Sequence, residues 1–166
     1  MTRTLIVVRH AKSDRDAPVS DLERPLAPRG RRQAPETGRW IADHLEPPDL
    51  AVVSPAVRAQ QTWELVSAEL PAPTPTHVDP AAYTFDGEVL LDVVRGFSAD
   101  AGTVLLVGHS PAVDELAKVL TGLPVRLTTS ALVVVALRSW GAPSGLLRAV
   151  GRPADGALPL ARPPAE

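Results

Sequence analysis

Short, unbroken apolar runs alternate along this chain with longer stretches in which apolar residues recur every three or four positions. The runs at 5–8, 50–53, 104–107 and 132–137, and a weaker one at 146–150, have the length and branched-residue content of strands. A further short strand is expected at 76–78. Apolar residues fill these runs without alternation, which suits strands covered on both faces, as in a parallel sheet.

Helical spacing appears at 60–70 (Trp63, Leu65, Val66, Leu70), 88–97 (Val89, Leu90, Val93, Val94, Phe97) and 111–120 (Val113, Leu116, Ala117, Leu120). Pro111 suits a first helical turn, where its missing N–H is not needed. Residues 28–45 also read as a helix, but Pro35 and Gly38 lie inside it and predict a late start or a kink. Strands alternating with helices give an α/β class: a three-layer αβα sandwich with a mostly parallel central sheet. One domain is expected over 1–151, followed by a Pro/Ala-rich tail at 152–166 that hugs the surface or is partly disordered.

Composition narrows the class further. The 166 residues are 45% apolar and 22% charged, enough for a globular core. Seventeen basic residues against nineteen acidic ones give a net charge of -2, so neither nucleic acid nor an anionic membrane is an expected partner. The sequence leaves the oligomeric state open, with a monomer favoured. The longest apolar run, 131–137, is far short of a membrane span, and no apolar leader segment is visible, so a cytoplasmic location is expected. The absence of cysteine excludes disulfides and thiolate chemistry.

In open α/β sheets ligands bind beyond the carboxyl ends of the strands. The first run ends in Arg9-His10; the second leads into "SPAVRAQQT", with Arg58 in an early helical turn; the fourth ends in Gly108-His109-Ser110. Each of these alone reads as an ordinary surface detail. Together they bring two arginines and two histidines to one sheet edge of a chain that is not basic overall. Forked guanidinium donors and helix N-terminal N–H groups, including that of Ser110, suit a phosphoryl group. Neighbouring guanidinium groups would also keep His10 unprotonated and nucleophilic.

"VVRHAKS", "SPAVRAQQT" and "VLLVGHSP" resemble, in this order, the three motifs of the histidine phosphatase (phosphoglycerate mutase-like) superfamily. "DLERPLAPRGRRQA" resembles its small bacterial phosphohistidine phosphatases. The resemblance implies a phosphoglycerate mutase-like fold and a metal-independent phosphatase that needs no cofactor. His10 would take the phosphoryl group, while Arg9, Arg58 and His109 hold its oxygens. Ser13 would lie beside the phosphate, and Arg24 would contact phosphate or substrate, or else pair with Asp21 or Glu23. Many members carry a carboxylic acid after the third strand, as proton donor to the leaving alcohol. Here its place falls near Ala81, with Asp79, Asp86 and Glu88 as candidates, and Asp16 stands where many members have asparagine.

The missing acid fits a phosphohistidine substrate better than an alkyl ester, since imidazole leaves as a neutral molecule when its other nitrogen is protonated. The short segment between Val78 and Gly87 implies an open cleft able to admit a phosphorylated protein. A phosphatase of small phosphoesters and a phosphate-binding module without turnover are the alternatives. "GHSPA" mimics a serine hydrolase elbow, but no histidine follows His109 to complete a triad. His44 reads as a solvated helix residue, His77 as a minor candidate for the cleft, and the three tryptophans as packing residues.

Overall fold

The computed structural model describes residues 1–161. Strand β1 (Arg3–Arg9) is followed by α1 (Pro28–His44), β2 (Leu50–Val53), α2 (Val57–Ser67), β3 (Thr76–Val78), α3 (Gly87–Arg95), β4 (Thr103–Gly108), α4 (Ala112–Thr121), β5 (Leu132–Leu137) and β6 (Leu146–Gly151). The strands form one sheet in the order β3-β2-β4-β1-β5-β6. β1 runs parallel to β4, and β2 runs parallel to both β4 and β3. β5 and β6 complete the sheet in antiparallel pairings. Among the described residues no helix is long and apolar enough to cross a membrane.

Strand alternation divides the apolar residues of β1 between two cores. Leu5 and Val7 pack with Leu90, Val94, Val113 and Leu116 of α3 and α4. Ile6 and Val8 pack with Ala34, Ile41, Ala59 and Val66 of α1 and α2. This double cover is why the strand run carries no polar position. β5 is buried at every position as well, yet it runs antiparallel to β1. Continuous apolarity reports cover on both faces, and strand direction is settled by the connections.

α1 shows no late start. It begins at Pro28, where the ring occupies the first turn, and continues through Pro35 to His44. Packing outweighs the local penalty, since Gln33, Ala34, Thr37, Gly38, Trp40 and Ile41 are all buried along one face. Gly38 is required there: a Cβ would lie 2.5 Å from the Val66 carbonyl oxygen and 3.0 Å from the Val66 Cα of α2. Gly30, in the first turn, meets the backbone of Lys12, so the helix start presses on the loop that leaves β1. α2 starts at Val57, earlier than its apolar spacing implies, because the cap lies in the "SPA" turn. Pro111 occupies the cap position of α4 instead of its first turn.

All three tryptophans are buried, and the Trp63 Nε1–H donates to Thr76 Oγ1 (2.9 Å), tying α2 to β3. After β6 the chain lies along the surface. Leu158 and Leu160 pack against the second core, and the Ala161 N–H donates to the Arg148 carbonyl (2.8 Å). The remainder of the proposed tail, 162–166, lies outside the described residues.

Gly38→Ala tests the α1–α2 contact. Helix propensity alone favours alanine by about 1 kcal/mol. Overpacking against fixed backbone costs about 1–3 kcal/mol. The expected outcome is therefore net destabilisation, read as a lower urea midpoint with an unchanged slope. A raised midpoint would show that the helices separate freely.

Candidate active site

The parallel strands end at one level. Arg9 is paired with Gly108, and Val53 with Val107. One residue further on, the His10 N–H donates to the Gly108 carbonyl (3.1 Å) and the Ser54 N–H to the Val107 carbonyl (3.1 Å). His10, His109 and Ser54 therefore leave adjacent strand ends together. Arg58 reaches them from the first turn of α2. Side chains from the two neighbouring helices hold the loop after β1. Thr62 Oγ1 accepts from the Ala11 N–H (2.9 Å), Gln33 Oε1 from the Lys12 N–H (3.0 Å), and Gln61 Oε1 from the Leu26 N–H (2.8 Å).

At the centre lies the Arg58 guanidinium, 1% exposed, between two imidazoles whose centroids are 5.1 Å apart. Its Nε–H donates to His10 Nε2 (3.3 Å), and Nη2 donates to His109 Nδ1 (3.2 Å). Nη1 donates to the Asp21 carbonyl (2.6 Å), and Nη2 also to Asp21 Oδ2 (3.1 Å). Guanidinium has only donors and a carbonyl only accepts, so these contacts fix the tautomers. His10 carries its proton on Nδ1, which donates to the Ala11 carbonyl (2.7 Å), and keeps a lone pair on Nε2. His109 accepts at Nδ1 and donates from Nε2 to Ser54 Oγ (2.7 Å).

Burial is the main reason His10 stays neutral, and it pushes the imidazole down to about 3; His109, Arg58 and Arg9 add smaller repulsions. Sequence reasoning credited the arginines, which are the lesser cause. His109 is lowered to about 4, again by burial first and Arg58 second.

These groups floor a cavity of about 150 Å³. Its cations are Arg9, Lys12, Arg15, Arg24 and Arg58, and its one carboxylate is Asp21. Ser13 and Ser110 line it as well. Arg24 combines both roles considered for it: Nη1 donates to Ser13 Oγ, and Nη2 pairs with Asp21 Oδ1 (2.6 Å). Among the described residues Arg9 Nε and Ser110 Oγ are buried without a partner. Unspent donors in a cationic hollow suit an oxyanion. Among the same residues no group of three or more His, Asp or Glu is placed to hold a metal ion.

The acids considered as proton donors lie elsewhere. Asp79 caps the turn at Ala81 (2.9 Å), Asp86 caps α3 at Glu88 (2.9 Å), and Glu88 is exposed on that helix. None of the three lines the cavity. His77 borders a separate groove with Asp79 and Asp92, and His44 stacks on Trp40. Asp16 is exposed outside the cavity, so its charge does not face a bound anion.

Several participants escaped sequence reasoning. Ser54 and Thr62 stand at either end of the "SPAVRAQQT" motif, eight residues apart with Arg58 midway, and that spacing was a usable signal. Lys12 lies within the His10 motif "VVRHAKS", and Arg15 lies two residues beyond its end. Asp21 was considered only as a partner for Arg24. Tyr83 and Phe85, which flank His109 with ring centroids at 5.4 and 5.9 Å, gave no signal beyond the scarcity of aromatics in this chain.

An α/β sheet that ends in a buried neutral imidazole, its Nε2 lone pair met by one of several surrounding guanidinium groups, is suited to phosphoryl chemistry. Residues 5–82 match the family model of the histidine phosphatase superfamily (branch 1). The phosphohistidine phosphatase SixA of Escherichia coli (strain K12) is 30% identical over 141 residues, covering 82% of this chain and 87% of that protein. A solved structure of the protein histidine phosphatase SixA complexed with tungstate superposes with a TM-score of 0.81 at 27% identity, covering 92% of this chain and 98% of the other. The alpha-ribazole phosphatase of Shigella flexneri shares the fold at a TM-score of 0.68 and 19% identity, covering 90% and 96% of the two chains. The chain belongs to the histidine phosphatase superfamily, a family of phosphatases, and is similar to its small phosphohistidine phosphatases.

The two neutral imidazoles make stability depend on pH. Free histidine titrates near 6.5, whereas His10 and His109 are held at about 3 and about 4. Between those values and 6.5 the unfolded chain binds protons that the folded chain does not. Their contribution is therefore full above about pH 6.5 and is lost as pH falls towards 3. Urea midpoints measured from about pH 7.5 to 4.5 should drop, and drop less in His10→Gln. Equal slopes for the two proteins would contradict the buried neutral His10.

Proposed function

We propose that this chain hydrolyses phosphohistidine carried on a partner protein, passing the phosphoryl group through His10. The observation that carries the reading is an unprotonated His10 Nε2 facing a cavity with no protonated acid. The only lining carboxylate among the described residues, Asp21, is kept ionised by Arg24 first, then by the Tyr83 hydroxyl and Arg58.

In the first step the Nε2 lone pair forms a bond to phosphorus as the substrate's P–N bond breaks. The substrate ring, protonated on its other nitrogen, departs as neutral imidazole. Arg9 and Arg58 hold the phosphoryl oxygens, with His109, Ser13, Arg24 and Ser110 lining the same pocket. In the second step water attacks the phosphorylated His10. That ring still has its Nδ1 proton on the Ala11 carbonyl (2.7 Å), so it also leaves as neutral imidazole. The protons of the water stay on the phosphate or pass to solvent.

Neither departure needs a proton from the enzyme, whereas an alkoxide leaving group gains about 10²–10⁴-fold from a general acid. Five lining cations supply the charge that a metal would otherwise bring and make the pocket a poor place for one. Likeness to the E. coli phosphohistidine phosphatase supports the same reading.

Phosphate release from a phosphohistidine phosphocarrier protein, compared with para-nitrophenyl phosphate, tests the proposal. The expected result is a higher kcat/KM on the phosphoprotein and none on either substrate for His10→Ala. Arg58→Ala should lose about 10²–10³ in kcat, the cost of one preorganised donor. A preference for small phosphoesters would favour a metabolite phosphatase, and no turnover by the native protein would favour a binding module.

A further inference from the structure

One wall of the cavity carries chemistry that a phosphoryl group does not call for. Asp21 is the single carboxylate among the residues that line it. Its Oδ1 accepts from Arg24 Nη2 (2.6 Å), and its Oδ2 accepts from Arg58 Nη2 (3.1 Å) and the Tyr83 hydroxyl (2.5 Å). A carboxylate offers about four acceptor sites. Three are used here, and the side chain is 46% exposed. The Tyr83 ring stands edge-on to His109, and Phe85 lies 6.1 Å from Tyr83 and 5.9 Å from His109. Phe85 lines the cavity while 53% exposed, an apolar ring left in solvent at its mouth.

We propose that Asp21, Tyr83 and Phe85 form a leaving-group subsite for the protonated imidazole ring of an N-phosphorylated histidine, a deepening that rests on the phosphohistidine reading above. An alkyl phosphate gains nothing from a carboxylate beside its dianion. A phosphoryl group borne on imidazolium matches the wall, because the ring is flat, cationic and has one N–H donor. Aromatic faces attract such a cation. When phosphoryl oxygens take over the donors of Arg58 and Arg24, Asp21 loses partners and regains acceptor capacity facing the ring. Its carboxylate then accepts from the distal N–H and keeps the proton on that nitrogen. As the P–N bond breaks, the bonding pair stays on the ring nitrogen and the ring leaves neutral, while His10 Nε2 takes the phosphorus. Asp21 transfers no proton; it holds the substrate in the protonation state that reacts.

A competing role for Asp21 is to brace Arg58. That role would weaken turnover of every substrate alike, so the readout is a ratio. Phosphoimidazole and para-nitrophenyl phosphate are compared for the native protein, Asp21→Asn and Phe85→Ala. Both substrates lack a protein partner and differ in whether the leaving ring is cationic. The subsite requires the kcat/KM ratio, phosphoimidazole over para-nitrophenyl phosphate, to fall about 10-fold or more in Asp21→Asn, as for a lost hydrogen bond to a charged group. It requires a smaller fall of the same sign in Phe85→Ala, where the exposed side chain leaves the core untouched. An unchanged ratio in both variants overturns the subsite and leaves the phosphohistidine reading standing, provided the native protein still dephosphorylates the phosphocarrier. Failure of the native protein on both phosphoimidazole and the phosphocarrier overturns both.

Discussion

A single guanidinium buried between two imidazoles sets the terms for everything around it. Placing a cation at 1% exposure is costly unless hydrogen bonds replace water. Arg58 meets that condition with bonds to His10, His109 and both oxygen types of Asp21. Each partner has to arrive at a fixed position, and this explains why strand ends, a helix start and a loop converge here. The register of β1 with β4 places the two histidines side by side. The first turn of α2 aims Arg58 between them, and the loop after β1 folds back to bring in Asp21. The cost of burying the charge thus becomes a constraint that organises four separate chain segments.

The same bonds determine the reactive state of His10. A buried imidazole surrounded by cations stays neutral, and a donor-only neighbour at Nε2 together with an acceptor-only neighbour at Nδ1 leaves one tautomer. As the proposed nucleophile, His10 therefore needs no separate base. It does need its lone pair released, since the Arg58 Nε–H occupies Nε2 in this state. An incoming phosphoryl group resolves that contact by offering Arg58 a stronger, charged acceptor. In the proposed reaction binding and activation of His10 are then one event: the oxygens that draw the guanidinium away are attached to the phosphorus it would attack.

How much of this could be read in the sequence depended on how local each signal was. Arg9, His10, Gly108 and His109 were legible because a polar residue ending a fully apolar run can only project from a strand end. Arg58 was legible from its place early in a helix after a strand. The direction of β5 was not legible, because a strand buried on both faces has the same composition whichever way it runs. Pro35 misled for a similar reason: the local penalty is visible in the sequence, but the packing of Gly38 on Val66 that offsets it is not. Asp21 was undervalued because an acid among Asp, Glu and Arg in a polar loop looks like a solvated charge. Its bonds run to Arg58 and Tyr83, 37 and 62 residues away.

The distribution of labour between sheet and loops follows from these contacts. The phosphoryl pocket is built from strand ends whose geometry the double core enforces, so its chemistry is tied to the fold. In the proposed reaction the group that departs from phosphorus would face a different part of the chain, the segment between β3 and α3 together with the loop carrying Asp21. There Asp79 and Asp86 are spent on capping turns, and Tyr83 and Phe85 face His109 in their place. A carboxyl group used as a cap is turned to backbone N–H groups and lies outside the cavity, which removes it as a donor to a leaving oxygen. On the proposed reading the fold specifies how a phosphoryl group is received, and the residues between Val78 and Gly87, with the loop carrying Asp21, decide what it is taken from.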